Sequence, residues 1–146
     1  MTVLDLIGPR AEVFSIHSDM SVHDAARYLR DRQVRAVAVV DETGRPVGVV
    51  SQSDISDKVA AENRCAGCLH VSQIMSTSLV SVSSAESLET CRHRMEANSL
   101  FHLLVVDPGG YYRGMVSVRD LLSVIALDEK ARADLLEAFV MEGRPH

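Results

Sequence analysis

The chain repeats itself at a spacing of 66 residues, and that repeat restricts its possible folds more than any other feature. Val39-Val40-Asp41, Gly44 and Gly48-Val49-Val50-Ser51-Gln52-Ser53-Asp54 return as Val105-Val106-Asp107, Gly110 and Gly114-Met115-Val116-Ser117-Val118-Arg119-Asp120. Of the fourteen positions from Asp41 to Asp54, six recur identically and without a gap. A repeat of this kind marks a duplicated structural unit, so a site carried by one copy is expected in the other.

The same shift aligns residues 13–55 with 79–121. Residues 13–16 and 79–82 are short and apolar and read as strands. Ser18 and Ser84, then Ser21 and Ser87, precede apolar-periodic runs and signal helix N-caps. Ser21-x-x-Asp24 resembles a capping box. The helices that follow carry Val22, Ala25, Ala26 and Leu29 in the first copy, and Leu88, Cys91, Arg92 and Met95 in the second. That spacing builds one buried stripe, with Arg92 expected to snorkel at its edge and Cys91 to fill a small core slot. Strands at 36–40 and 102–106 come next. Turns at 41–44 and 107–110 place Gly where positive φ is expected. Third strands at 47–50 and 113–116 lead into helices near 54–62 and 120–127.

The order per copy is strand, helix, strand, strand, helix. The predicted fold is α+β: two tandem β-α-β-β-α units related by a pseudo-twofold axis, with their sheets packed together. The expected boundaries are 1–62 for the first unit, 63–70 for a connector, 71–127 for the second unit and 128–146 for a C-terminal helix and tail. Similar lead-ins, Val3-Leu4-Asp5-Leu6-Ile7 and Val71-Ser72-Gln73-Ile74-Met75, precede the copies. From Arg119 onward the pattern is helical almost to the end, with Leu121, Leu122, Ile125, Leu135, Leu136, Phe139 and Val140 on its apolar side. A stripe of that length is expected to meet a second copy of the chain as a homodimer; the alternative is a helix folded back on its own unit.

Composition narrows the partners. The 146 residues are 47% hydrophobic and 4% aromatic, with no Trp, so the core must be aliphatic. The net charge is −5 and no Lys/Arg-rich run occurs, which argues against a nucleic-acid partner. Neither a signal-peptide pattern nor an apolar run of bilayer-spanning length is present, so a cytoplasmic location without a membrane span is expected. Three cysteines, Cys65, Cys68 and Cys91, do not form a disulfide framework. Cys65-Ala66-Gly67-Cys68 is a lone C-x-x-C that lacks two further zinc ligands at the usual spacing. It reads first as a connector, with a redox or metal-linked pair as the alternative.

The strand-to-helix corner is where chemistry could sit. Ser51 and Ser117 fall at the strand end, each with an Asp three residues later. One reading is purely structural: the serine caps the helix and the carboxylate reaches back to the cap's own N–H. Another is a ligand site. Gly48 and Gly114 sit inside strands, where something must approach the backbone closely. A helix N-terminus favours phosphate, and a carboxylate can accept hydrogen bonds from a ribose diol.

With these residues the chain resembles the cystathionine-β-synthase (CBS) domain, a tandem pair of which is called a Bateman module. The resemblance covers residues 3 to about 127. It implies adenine nucleotides or related adenosyl compounds held in clefts between the units, with Asp54 and Asp120 on ribose and Ser51 and Ser117 near phosphate. It also implies a base held by Ile16, His17, Arg35 and Ala36 in copy one and by Val82, Ser83, Phe101 and His102 in copy two. Arg119, at the position of Ser53, could meet a phosphate and make the sites unequal. Ala38 and Leu104 stand where the family often has proline.

The expected function is therefore a non-catalytic regulatory module for an adenosine-type nucleotide, with no cofactor and no resident metal. NAD(H), S-adenosylmethionine and guanine nucleotides stay open as ligands. The regulated protein would be encoded elsewhere. The competing readings are a scaffold without ligand and a Cys65/Cys68 redox or metal-linked regulator.

Overall fold

The computed structural model describes residues 1–8, 13–124 and 129–142. The first copy runs β1 (Ser15–His17), α2 (Val22–Arg32), β2 (Ala36–Val40), β3 (Pro46–Ser51) and α3 (Gln52–Ile55), after a short α1 (Val3–Ile7). A π-helical turn, Ser56–Ala60, continues α3, and 3-10 turns follow at Ala66–Cys68 and Val71–Gln73. The second copy runs β4 (Ser81–Ser83), α4 (Leu88–Asn98), β5 (His102–Val106), β6 (Tyr112–Ser117) and α5 (Val118–Val124), with α6 (Glu129–Glu142) beyond. The α+β class and the predicted order within each copy are both present.

Each copy forms a three-stranded sheet with its second strand in the middle. β1 lies parallel to β2, with Ser15 opposite Ala38 and His17 opposite Val40. β3 returns antiparallel, with Ala36 opposite Ser51 and Val39 opposite Gly48. β4 repeats the parallel pairing on β5. The first strands begin two residues later than the apolar run suggests. Val13 is half exposed, and pairing with β2 starts at Ser15.

The helices start where a serine can serve the backbone. Ser21 Oγ accepts the Asp24 N–H at 3.0 Å, and Ser87 Oγ accepts the Thr90 N–H at 3.1 Å. Ser21 caps without a return bond from Asp24 being part of the cap, so this site is half of a capping box. Both helices stop at a left-handed residue, Gln33 (φ 55°) and Ser99 (φ 51°), which lie at equivalent positions of the repeat. The turn glycines Gly44 (φ 88°) and Gly110 (φ 86°) have the positive φ expected of them.

The compact units do not follow the repeat boundaries. Of the described residues, one unit gathers 1–8 with 80–108, 113–124 and 129–142; the other holds 13–79 with 109–112. The reason lies in the lead-ins. Val3 and Ile7 of α1 pack into the cluster of Val82, Cys91, Met95, Leu103, Val105, Val116 and Leu121, which belongs to the second copy. The Val3 N–H donates to Glu86 O at 2.9 Å. Val71 and Ile74 pack instead with Ile16, Val22, Ala25, Leu29, Val37, Val39 and Val50 of the first copy. There the Val71 N–H donates to Met20 O at 2.8 Å, and Ser76 exchanges both backbone bonds with Val49. Each lead-in therefore covers a sheet built from the other repeat.

Two sequence expectations change. Arg92 does not snorkel; it is 7% exposed, with its guanidinium between Glu89 and Glu96, whose Oε1 lies 2.7 Å from Nη1. The hydrogen bond to Glu89, more than Glu96, holds it charged against the cost of burial. The C-terminal stripe is partly used at home, because Leu135 is fully buried in the second copy's cluster while Leu136 stays 40% exposed. Ile125 and Leu127, and the side chains of Phe139 and Val140, lie outside the described residues. Among the described residues, no helix is long and apolar enough to cross a membrane.

Two outcomes test this arrangement. Ile74→Ala should destabilise by about 2–5 kcal/mol and Val3→Ala by roughly 1–3 kcal/mol. Hydrogen exchange should then accelerate around β1–β3 for Ile74→Ala and around β4–β6 for Val3→Ala, the reverse of what proximity in sequence suggests. Separately, burial pushes the Cys91 thiol up to about 11, above its ordinary 9.0. It should resist alkylation at pH 8 in the folded chain and react once the chain is unfolded, as read by mass spectrometry.

Candidate functional site

The two strand-to-helix corners have the same construction. In the first copy, antiparallel register sets Ser51 opposite Ala36, and the Gln52 N–H donates to Arg35 O at 2.9 Å. In the second, the Val118 N–H donates to Phe101 O at 2.9 Å. The start of the middle strand is thus tied to the first turn of the helix in both copies. Arg35, Ala36, Ser51 and Asp54 meet at one corner. Phe101 is bonded into the other beside Ser117 and Asp120, with His102 the next residue of β5.

The Ser-x-x-Asp pairs close as capping boxes. Asp54 Oδ2 accepts the Ser51 N–H at 2.9 Å and the Ser51 hydroxyl at 3.0 Å, while Ser51 Oγ accepts the Asp54 N–H at 3.1 Å. In the second copy, Asp120 Oδ2 accepts the Ser117 N–H at 2.8 Å and Ser117 Oγ accepts the Asp120 N–H at 3.1 Å. The structural role is therefore realised twice. It leaves both carboxylates half-buried at the corner rather than sealed in the core.

The features that favoured a ligand fare differently. The close approach at Gly48 is made by the protein itself: a Cβ there would collide with Met75 Sδ and lie 2.8 Å from its Cγ. At the helix ends, the first-turn N–H groups of Asp54 and Asp120 are taken by the capping serines. Charge comes instead from side chains. Lys58, one turn beyond Asp54, places Nζ 3.0 Å from Asp54 Oδ1 and donates to Ile74 O at 2.8 Å. Its repeat counterpart is Val124, which carries no charge. The second corner has Arg119 at the position of Ser53. Arg119 is exposed, with no ion pair among the described residues.

Lys58 is the residue that sequence reasoning missed. The signal was available, since a Lys four residues after an Asp on a helix faces it. Register also divides the predicted base-binding set. β1 is parallel to β2, so Ile16 and His17 pair with Val39 and Val40, at the end of the sheet away from Ala36 and Ser51. Three residues of strand are roughly 10 Å. The Ile16 and Val82 side chains are buried in the two hydrophobic clusters. His17 is exposed, and Ser83 hands its N–H to Glu86 Oε1 at 3.0 Å. The residue of β1 nearest the corner is Ser15, opposite Ala38, a point legible only once strand direction is known.

Cys65 and Cys68 are joined by a disulfide, with Cα atoms 5.2 Å apart. The link lies within the predicted connector, and one local link is still no framework. Among the described residues, no three His, Cys, Asp or Glu side chains are placed to share a metal ion.

Comparison with known proteins agrees with the duplicated corners. The CBS domain family matches at residues 3–61 and 71–127. CBS domain-containing protein YhcV of Bacillus subtilis is 30% identical over 110 residues, covering 75% of this chain and 76% of that protein. An uncharacterized protein of Methanocaldococcus jannaschii is 29% identical over 115 residues, which is 79% of this chain and 27% of that protein. The chain thus spans about a quarter of the length of some curated relatives it matches. Among solved structures, CBS domain protein TA0289 of Thermoplasma acidophilum superposes with a TM-score of 0.80 at 21% identity, covering 96% of this chain and 76% of that one. The CBS domain pair of protein MJ0100, in complex with 5′-methylthioadenosine and S-adenosyl-L-methionine, gives 0.77 at 21% identity and covers 88% and 98%. With two matched repeats and the same corner built twice, the chain belongs to the CBS domain family.

Proposed function

We propose that this chain is a non-catalytic regulatory module of the cytoplasm that binds an adenosine-type nucleotide at its strand-to-helix corners and passes binding on to a partner protein as a conformational change. The observation that carries this reading is the duplicated corner itself. One backbone bond sets a capped, half-buried carboxylate beside the start of the middle strand, twice, while the surrounding residues have diverged. The solved MJ0100 domain pair, alike in fold, holds two adenosyl compounds, which favours the same ligand class here.

In this reading Asp54 and Asp120 take ribose hydroxyls and Ser51 and Ser117 stand on the phosphate side. Arg119 and Lys58 supply positive charge. Arg35, Ala36, Phe101 and His102 flank the base. Catalysis is not proposed, because each Ser and Asp is engaged in capping the other rather than set as nucleophile and base. NAD(H) and guanine nucleotides belong in the same ligand panel, and a scaffold without ligand is the outcome if none of them raises Tm at millimolar concentration.

The corners are unequal, and calorimetry can show it. Asp120→Asn keeps an acceptor for the Ser117 N–H but removes the charge. A hydrogen bond to a charged group contributes about 1.5–3 kcal/mol, so nucleotide affinity at that corner should fall roughly tenfold to a hundredfold. Asp54→Asn is the matched variant at the first corner, where Lys58 pairs with the carboxylate. Unchanged affinity in both variants and in the double variant rejects the ribose assignment. A second copy of the chain covering Val124 and Leu136 is part of the proposal. Leu136→Lys should then shift the chain from dimer to monomer by light scattering, and a wild-type chain that is already monomeric rejects it.

A further inference from the structure

We propose that Cys65 and Cys68 form a reversible dithiol–disulfide site that exchanges with a low-molecular-weight thiol–disulfide couple, and that its state tightens or loosens the clamp of Lys58 on Asp54. The regulatory half of this inference rests on the reading of Asp54 as a ligand residue; the redox half does not.

Access and position carry the chemistry. Both cysteines are exposed, whereas Cys91 is fully buried. The bridge spans a sequence separation of 3 and closes a single turn. It joins no two elements of the core, and a disulfide constrains the unfolded chain least when its loop is short. The bridge can therefore open and close while both hydrophobic clusters stay packed. A solvent-exposed pair is also the kind that thiolates in solution can reach.

The turn lies between the two anchors of Lys58. Upstream, the Arg64 N–H donates to Val59 O at 2.9 Å and Arg64 Nη1 to Lys58 O at 3.5 Å. Downstream, Leu69 O accepts the Val22 N–H at 2.9 Å and Leu69 is buried in the first copy's core. Further on, Ile74 O receives Lys58 Nζ. Lys58 thus bonds through its carbonyl to the stretch before the bridge and through its ammonium to the stretch after it. The turn that carries Lys58 is π-helical, a rare backbone form. Closing the bridge removes slack from the chain that links these anchors. Opening it leaves the backbone bond from the Cys68 N–H to Cys65 O across the turn.

The exchange balances without a further reactant. One protein thiolate attacks the small disulfide RSSR, forming a mixed disulfide and releasing RS⁻. The second protein thiolate attacks the protein sulfur of that mixed disulfide, closing Cys65–Cys68 and releasing a second RS⁻. Two protein thiols are oxidised by two electrons, one RSSR is reduced, and the two protons end on two RSH.

The test equilibrates the full chain in glutathione buffers of varied ratio, traps thiols by alkylation in acid-quenched samples, and counts them by mass. Cys65 and Cys68 should change together in one two-electron transition while Cys91 stays reduced. A bridge that survives excess reduced glutathione, thiols that survive excess oxidised glutathione, or arrest at the mixed disulfide each overturns the site. Amide exchange across residues 56–74 should be about threefold or more faster in the reduced chain. The Cys65→Ser/Cys68→Ser double variant should match the reduced chain in either buffer. A clean thiol transition with identical exchange in both states overturns the link to Lys58. Nucleotide titration in the two states separates the two readings. Binding that differs between them, and loses the difference in the double variant, supports the link. Binding in neither state, with the transition intact, removes the nucleotide reading and leaves the redox site standing.

Discussion

A three-stranded sheet with strands of three, five and six residues has one apolar face that a single eleven-residue helix cannot cover. The rest of this structure depends on how that cover is completed. Each sheet takes its missing cover from the lead-in of the opposite repeat: Val3 and Ile7 for one, Val71 and Ile74 for the other. Burying these side chains contributes about 1.5–3 kcal/mol each, a large share of the stability of a small domain. Each sheet's cover therefore includes residues from outside its own repeat.

The same economy shapes the corners. A short helix that follows a strand without a loop has several backbone groups to satisfy at once. The Ser-x-x-Asp box satisfies two of them, and the carbonyl before the middle strand accepts a third. This local solution recurs because it is local. The charges around it have diverged, with Lys58 across from Asp54 in one copy and Arg119 beside Asp120 in the other. Under the proposed function, a duplicated scaffold with differently charged corners would give two sites of unequal preference in one molecule.

Much of this was legible from the residues. The repeat, the order of elements, the serine caps, the positive-φ turn glycines and the burial of Cys91 all follow from short-range rules. Three things were not. Arg92 reads as an edge residue because it interrupts the stripe of Leu88, Cys91 and Met95, yet Glu89 and Glu96 lie one helical turn away on either side and make its burial affordable. Gly48 reads as a sign of a ligand, yet Met75, 27 residues later, fills the space. Ile16 and His17 enter the predicted base-binding set through the resemblance alone, and strand direction sets them at the end of the sheet away from Ala36 and Ser51.

The sequence by itself determined the duplication, the α+β class, the two Ser-x-x-Asp corners and the CBS family resemblance. All of these rest on periodicity, capping and turn chemistry within a few residues. Tertiary structure decided which lead-in covers which sheet, that Lys58 reaches both Asp54 and Ile74, and that Cys65 and Cys68 are bonded. Those outcomes depend on which distant surfaces meet. Burial and hydrogen bonding select such meetings from many that the residue pattern alone allows equally.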